Sequence, residues 1–404
     1  MNSYKIFNDP LYGFITVPKG ILLDLIDHPY MQRLHRIRQL GLSYLVYPGA
    51  LHTRLHHALG ALHLVQQAIE VLRKKNVAID DDEALGVQIA VLLHDMGHGP
   101  FSHSLEGILI PDMPHESLTL MIMHTLNKEF RGQLSTAISI FENRHPKKFL
   151  HNLVSGQLDM DRLDYLNRDS FYTGVSEGVI SSERIIKMLH VNNEQLVVEE
   201  KGIYSLEKFL IARRLMYWQV YLHKTVLAAE QLLINIFRRA REVYQEARLA
   251  SLTTHSLCDF LQQPAPERNH EELLKRFCSL DDSDVIASIK QWMNCSDETL
   301  RTLCSMLINR NLYKIKLSNV PIEKSELEAA RKKAAGLIKN ENLIHYFAFD
   351  GSVTNSAYNN EEKILILFKD GSVRDIASAS DLPNISIMST VVRKYFLCQA
   401  RLPA

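Results

Sequence analysis

Apolar residues recur at three- and four-residue steps over Ile21–Leu34 and Arg54–Lys74, which predicts two amphipathic helices. Glu83–Met96 is apolar on nearly every side, through Ala84, Val87, Ile89, Ala90, Val91, Leu92 and Leu93. That is the pattern of a helix deep in a core, and Gly97, Gly99 and Pro100 stop it. Long helices are expected again from Leu206 to about Glu246, and shorter ones across Leu257–Leu307. Between them, Gln195–Val198 and Ile203-Tyr204, flanking Lys201-Gly202, predict a hairpin. Near Asn311 the pattern changes. Tyr313–Leu317 and Ile344–Ala348 read as strands, Lys324–Ile338 as a surface helix, and Ile364–Phe368 with Val373–Ile376 as a hairpin around Asp370-Gly371. The predicted fold class is mostly α: a core over residues 1–230, a helical extension over 231–310, and a smaller α/β C-terminal module over 311–404.

Composition narrows the function classes. The chain has 404 residues, 46% of them hydrophobic and 23% charged, enough to bury a large core. Lys plus Arg and Asp plus Glu balance at 46 each, which weakens the case for a basic tail wrapping nucleic acid and leaves a local basic groove open. The local basic stripes, Arg33, Arg36 and Arg38 with Arg238, Arg239 and Arg241, are better read as solvated faces or internal ion pairs, so nucleic acid is not a favoured partner. No run of 18 apolar residues exists, so no membrane partner is expected. The opening MNSYKIFNDPLYG lacks the pattern of a signal peptide, and a cytoplasmic location is expected. Five cysteines (Cys258, Cys278, Cys295, Cys304 and Cys398) are irregularly spaced and match neither a disulfide framework nor a zinc ribbon.

The chemistry concentrates around VLLHDMGHGPFSH. A buried apolar helix ending in His94-Asp95 brings an imidazole and a carboxylate to the core edge, which is costly unless they are hydrogen-bonded, paired or metal-bound. An adjacent His-Asp pair alone means little. Here HTRLHHALG, at a helix start, precedes it and LDMDRLDY, acidic within an apolar frame, follows.

This H…HD…D pattern, together with NDPLYGFI, QRLHRIRQLGLSYLVYPGALHTRLHHALG, HDMGHGPFSH, DMDRLDYLNRD and RRLMYWQVYLHK, resembles the HD-domain phosphohydrolases, in their deoxynucleoside triphosphate triphosphohydrolase branch. The resemblance spans roughly residues 4 to 230 and implies an HD-domain helical core. It implies His57, His94, Asp95 and Asp161 as ligands of a divalent transition metal (Mn, Fe, Co, Ni or Zn), with accompanying Mg left open. It assigns His98, His103, His115 and Glu116 to charge stabilisation and proton transfer. Arg54, Arg162, Arg213 and Lys224 are implied to hold phosphates, Gln39 and Leu40 to pack on the sugar, and Tyr165 and Asp169 to hold its 3′-hydroxyl. Tyr221 is implied to crowd the 2′ position. His52, His56 and His63 are read as structural.

The implied activity is hydrolysis of a dNTP to deoxynucleoside and tripolyphosphate by a homodimer or higher homo-oligomer. Two departures stand out. His35 occupies the position of an Arg that binds guanine nucleotide in regulated members, although Lys5, Asn8 and Asp27 match, and Tyr217 replaces a His. These leave a constitutive dimer on an equal footing with nucleotide-driven assembly, and no SAM module is expected ahead of the core. The alternatives are an HD nucleotidase, an alarmone or cyclic-nucleotide hydrolase and, from another class, a nucleotide-sensing or nucleic-acid-binding module with a vestigial site.

Overall fold

The computed structural model describes residues 3–262, 269–337, 340–355, 362–381 and 391–401. The body is built around the helix Arg54–Lys74, which packs against Asp81–Leu93 and Met160–Thr173. Its start is set by a reciprocal cap in which the Thr53 amide donates to His56 Nδ1 at 3.2 Å, so His56 is structural as read. Asp80 and Glu83 cap the next helix the same way, with bonds of 2.8 and 2.9 Å. That helix ends at Leu93, so His94 and Asp95 lie in the turn beyond it, within reach of other segments.

Among the described residues there are three sheets. An N-terminal hairpin pairs Tyr4–Asp9 with Gly13–Pro18. A four-stranded sheet runs Leu189–Asn192, Gln195–Glu199, Leu365–Leu367, Val373–Asp375, with the second and third strands parallel. The C-terminal region therefore shares a sheet with residues of the body. The third sheet holds Val392–Gln399 between Lys314–Ser318 and Ala348–Asn355. The architecture is mostly helical with a small α/β C-terminal part, as the residue pattern predicts. No helix among the described residues is long and apolar enough to cross a membrane.

Several expected elements differ. The helix over Ile21–Leu34 is split into Ile21–Asp27, Pro29–Gln32 and a tight turn Arg33–Arg36, because the residue before Pro29 is held extended (His28 ψ 139°). The hairpin expected around Lys201-Gly202 forms instead at Asn193-Glu194, where both residues take positive φ (48° and 60°) and reverse the chain into Leu189–Asn192. Ile203-Tyr204 open a helix, Ile203–Met216. The stretch from Leu206 to Glu246 is interrupted by a π-helical turn, Tyr217–Tyr221, before a second helix, Lys224–Glu242, starts on a His223 cap. Ile344–Tyr346 lie in a tight helical turn, Glu341–Tyr346, and the strand begins only at Ala348. The N-terminal hairpin has no counterpart among the sequence expectations. Ile338, at the end of the expected surface helix, lies outside the described residues.

Candidate functional site

The helix Arg54–Lys74, the turn after Asp81–Leu93 and the first turn of Met160–Thr173 bring the expected ligand residues together. His57 Nε2 lies 3.3 Å from His94 Nε2 and 3.0 Å from Asp161 Oδ1, and His94 Nε2 lies 3.5 Å from the same oxygen. Two ligands each about 2.1 Å from one ion, at roughly 90–110°, stand about 3.0–3.4 Å apart, so these spacings fit a single metal. The Asp95 carboxylate approaches both rings, at 3.3 Å from His94 and 3.8 Å from His57, while Arg54 Nη1 donates to its Oδ2 at 2.5 Å.

Both rings are committed on their far sides. His57 Nδ1 donates to Asp164 Oδ2 at 2.7 Å, and His94 Nδ1 to the Val91 carbonyl at 2.6 Å. Each Nε2 is thereby aimed at its neighbours, and on losing its proton would present a lone pair there, the orientation that metal-binding imidazoles need. Burial alone would lower both histidines. Hydrogen bonds to Asp161 and Asp164 instead carry His57 up to about 10, and Asp95 and Asp161 raise His94. Burial would raise Asp161, yet the two imidazoles hold it well below the carboxylate range. A cluster that must otherwise retain protons to balance its acids is suited to exchanging them for a divalent cation.

Asp164 belongs to a longer chain that the sequence reading missed. Arg168 forks onto Asp164 at 2.9 and 3.0 Å and donates to Asp9 Oδ2 at 2.8 Å. Asp9 Oδ1 accepts the amides of Leu11 and Tyr12 in the hairpin turn. The NDP segment is thereby tied to His57. Gly60 makes room for this network, since a Cβ there would sit 2.0 Å from Asp164 Oδ1. Gly97 is needed for a similar reason: its Cβ would meet the His115 carbonyl at 1.9 Å. Its amide donates to Thr119 Oγ1 at 2.9 Å, and that hydroxyl donates to the His94 carbonyl at 3.0 Å.

His98 Nε2 lies 3.4 Å from Asp95 Oδ1, and its Nδ1 pairs with the Ser102 hydroxyl. Burial and then Arg54 push His98 well below the imidazole range, so it is neutral. His115 stacks on it, with ring centroids 3.9 Å apart. Glu106 Oε1 accepts from His115 Nδ1 at 2.8 Å and from its amide at 2.9 Å. That hydrogen bond takes Glu106 down to about 2, and Glu106 raises His115 against its burial. Glu106 was not anticipated; it lies three residues beyond His103, where the HDMGHGPFSH motif ends. Glu116 is exposed, its carboxylate 3.4 Å from His115. His103 is on the short helix Ser102–Leu105, and its side chain lies outside the described residues.

A second group forms beside the candidate metal cluster. Asp169 Oδ1 pairs with His52 Nε2 at 2.7 Å, and its Oδ2 accepts from the Tyr221 hydroxyl at 2.8 Å. His52, read as structural, thus touches an expected sugar-binding carboxylate. Burial and Asp169 raise the Tyr221 phenol, and burial raises that of Tyr165, so both stay neutral donors. Tyr165 feels Tyr217, Arg162, Arg213 and Asp161, which gathers those residues around it. Arg213 donates to Gln157 Oε1 at 3.1 Å, and Arg162 lies 3.7 Å from Asp159, a buried cap whose carboxyl burial raises to about 6. The Gln39 amide donates to the His52 carbonyl at 3.0 Å, Leu40 is partly buried beside it, and Lys224 stands exposed at its helix start. Five buried atoms in this group lack a hydrogen-bond partner among the described residues: Gln39 Oε1, His52 Nδ1, Arg54 Nε, Arg162 Nε and Arg213 Nε. Such atoms are costly to bury unsatisfied, and a polar ligand or ordered water here would satisfy them.

The basic stripes resolve mostly into internal contacts. Arg33 is buried on main-chain carbonyls, Arg36 and Arg38 meet Asp281 and Asp282, Arg239 meets Asp297, and Arg241 bonds the Phe260 carbonyl, while Arg238 is exposed.

Residues 180–342 match a model of the HD associated region family. Over 320 residues, 78% of this chain and 72% of the relative, the chain is 34% identical to an uncharacterized protein, YwfO, of Bacillus subtilis. It is 29% identical to a deoxynucleoside triphosphate triphosphohydrolase SAMHD1 homolog of Dictyostelium discoideum, over 77% of this chain and 60% of that protein. Among solved structures, a phosphohydrolase of Bacteroides thetaiotaomicron superposes with a TM-score of 0.94 at 49% identity, covering 98% of this chain and all of the other.

Proposed function

The chain belongs to the HD-domain phosphohydrolases related to dNTP triphosphohydrolase catalytic domains, and from that membership we propose that it hydrolyses dNTPs to deoxynucleoside and tripolyphosphate. The observation that carries this reading is the row of unsatisfied buried atoms beside the His57–His94–Asp161 cluster. Three of the five belong to arginines, which suits a polyanion, and the other two are on His52, bonded to Asp169, and on Gln39, whose backbone bonds His52, which suits a hydroxylated sugar.

The residues divide the work. His57, His94, Asp95 and Asp161 would hold a divalent transition metal, which when bound supplies Lewis-acid polarisation of a phosphoryl oxygen and a site for the attacking water. Arg54, braced on Asp95, keeps Nε free for an α-phosphate oxygen, and Arg162 and Arg213 meet the rest of the phosphate chain. Asp169, held from both sides by His52 and Tyr221, accepts from the 3′-hydroxyl. The Tyr221 ring crowds C2′, and Tyr165 closes the sugar face. His115, kept protonated by Glu106, delivers its proton to the 5′-oxygen as the bond to the α-phosphorus breaks. Neutral His98 orients that ring by stacking. Association into a homo-oligomer is supported by the outer face of the N-terminal hairpin, where Tyr4, Ile6 and Phe14 are exposed side by side.

Phosphorus NMR of products decides the proposal. Each of the four dNTPs, GTP and dAMP would be incubated with Mg, Mn, Co and Ni, with Asp95→Ala as control. Tripolyphosphate from dNTPs that disappears in the variant is expected. Orthophosphate from dAMP alone would replace this reading with a nucleotidase.

A further inference from the structure

The first turn of the helix Asp282–Trp292 lies in the region matched by the HD associated family, yet it grips two segments of the candidate site. The Leu280 carbonyl accepts from Arg33 Nη1 at 3.3 Å, and the same guanidinium donates through Nη2 to the Met96 carbonyl at 2.8 Å. Asp281 accepts from Arg36 Nε at 2.5 Å. Asp282 makes the most telling contacts. Its Oδ2 accepts the backbone amide of Arg38 at 3.0 Å and its Oδ1 that of Phe101 at 3.2 Å, across 244 and 181 residues of sequence.

Those two amides belong to loops that bear on the chemistry. Arg38 immediately precedes Gln39 and Leu40. Phe101 separates His98 from Ser102, its hydrogen-bond partner. Phe101 also takes φ 47°, a left-handed conformation that a bulky residue adopts only when its surroundings impose it. The conformation turns its amide toward Asp282 while its carbonyl accepts the Ser104 amide at 2.9 Å. The Asp282 side chain is 7% exposed, and its charged neighbour Arg38 stands at 3.9 Å. A buried carboxylate spent on two loop amides, with only a distant cation, is poorly explained as a stabilising ion pair.

We infer that Asp282 is a positioning residue of the site: its two carboxylate oxygens hold the Gln39–Leu40 loop and the His98–Ser102 turn in register with each other. The hydrogen-exchange test below does not depend on the substrate, whereas the kinetic test rests on the proposed dNTP hydrolysis.

Asp282→Asn keeps one acceptor oxygen and Asp282→Ala keeps none, so graded effects are expected in the full chain. In Asp282→Ala, amide exchange of peptides covering 36–42 and 97–106 should accelerate about 10- to 100-fold, and less in Asp282→Asn. Peptides of the helix Arg54–Lys74 and the bound-metal stoichiometry should not change. With dNTP, KM should rise about ten-fold through Gln39 and kcat should fall through His98, again less for Asn. Asp297→Ala removes a comparable capping and Arg239-pairing carboxylate from the same region and should lower stability while leaving both local readouts alone. The inference is overturned if exchange in the two segments is unchanged in Asp282→Ala, if it rises equally throughout the chain, or if Asp297→Ala shifts KM and kcat alike. A protein that hydrolyses no nucleotide would remove the proposed substrate, and the exchange data would still decide the role of Asp282. If Asp282→Ala does not fold, Asp282→Asn carries the same measurements.

Discussion

Replacing Arg168 with methionine tests whether the metal cluster is held from behind. The Arg168 side chain is 0% exposed, as is that of Asp164, and that of Asp9 is 4% exposed. The substitution keeps volume and an apolar stem but removes three charge-assisted hydrogen bonds, of 2.9 and 3.0 Å to Asp164 and 2.8 Å to Asp9. It leaves Asp9 in a dry interior with only two backbone amides, and Asp164 with only His57. Breaking a buried pair from one side costs about 3–5 kcal/mol, because the stranded charge keeps its desolvation penalty. Asp164 would also lose the fork that orients it against His57 Nδ1. Loss of such an outer partner weakens metal binding about 10- to 100-fold. Urea unfolding of the chelated protein should report the first effect, and competition against a metal-binding dye the second. Lys74→Met, which removes an exposed pair with Glu70, serves as the control, with an expected cost of about 0–1 kcal/mol. A loss below about 1 kcal/mol for Arg168→Met, with unchanged metal affinity, would refute the claim that the Asp9–Arg168–Asp164–His57 chain supports the site.

Gly60→Ala should destabilise by about 1–3 kcal/mol and weaken metal binding together, because the new methyl overlaps both Asp164 and Arg168; calorimetry with and without metal checks it. For the Glu106–His115 pair the two shifts define a pH window. Glu106 is depressed to about 2, so its contribution is present above about 4.5 and lost as pH falls toward 2. His115 is raised, so its contribution is complete below about 6.5 and lost as pH rises through its folded value. The stability gap between wild type and Glu106→Gln should therefore be widest between about pH 4.5 and 6.5 and close on both sides, as read from denaturation midpoints. Tyr221→Phe should raise KM for dNTPs about ten-fold while keeping the preference over ribonucleotides, since the ring stays and only the hydrogen bond to Asp169 is lost; steady-state kinetics with dGTP and GTP checks both parts.

The residue pattern alone determined whatever depends on near neighbours in the chain. The helix Arg54–Lys74 appears with the expected bounds because its apolar period and its cap are local. The apolar run before His94 placed an acid and an imidazole at a helix end, and the grouping of His57, His94 and Asp161 followed the family motifs. Even locally, competition decided some boundaries: Pro29 split one helix, and left-handed Asn193 and Glu194 captured a hairpin that Gly202 had been expected to form. What only the tertiary structure decided is which distant groups satisfy one another. Asp9 against Arg168, His52 against Asp169, and Asp282 against the amides of Arg38 and Phe101 are all pairings of buried or half-buried polar groups. Burial obliges each such group to find a partner, but which one it finds depends on how the helices pack. The family motifs carry the ligands of the candidate metal centre, and long-range packing supplies what holds them in place.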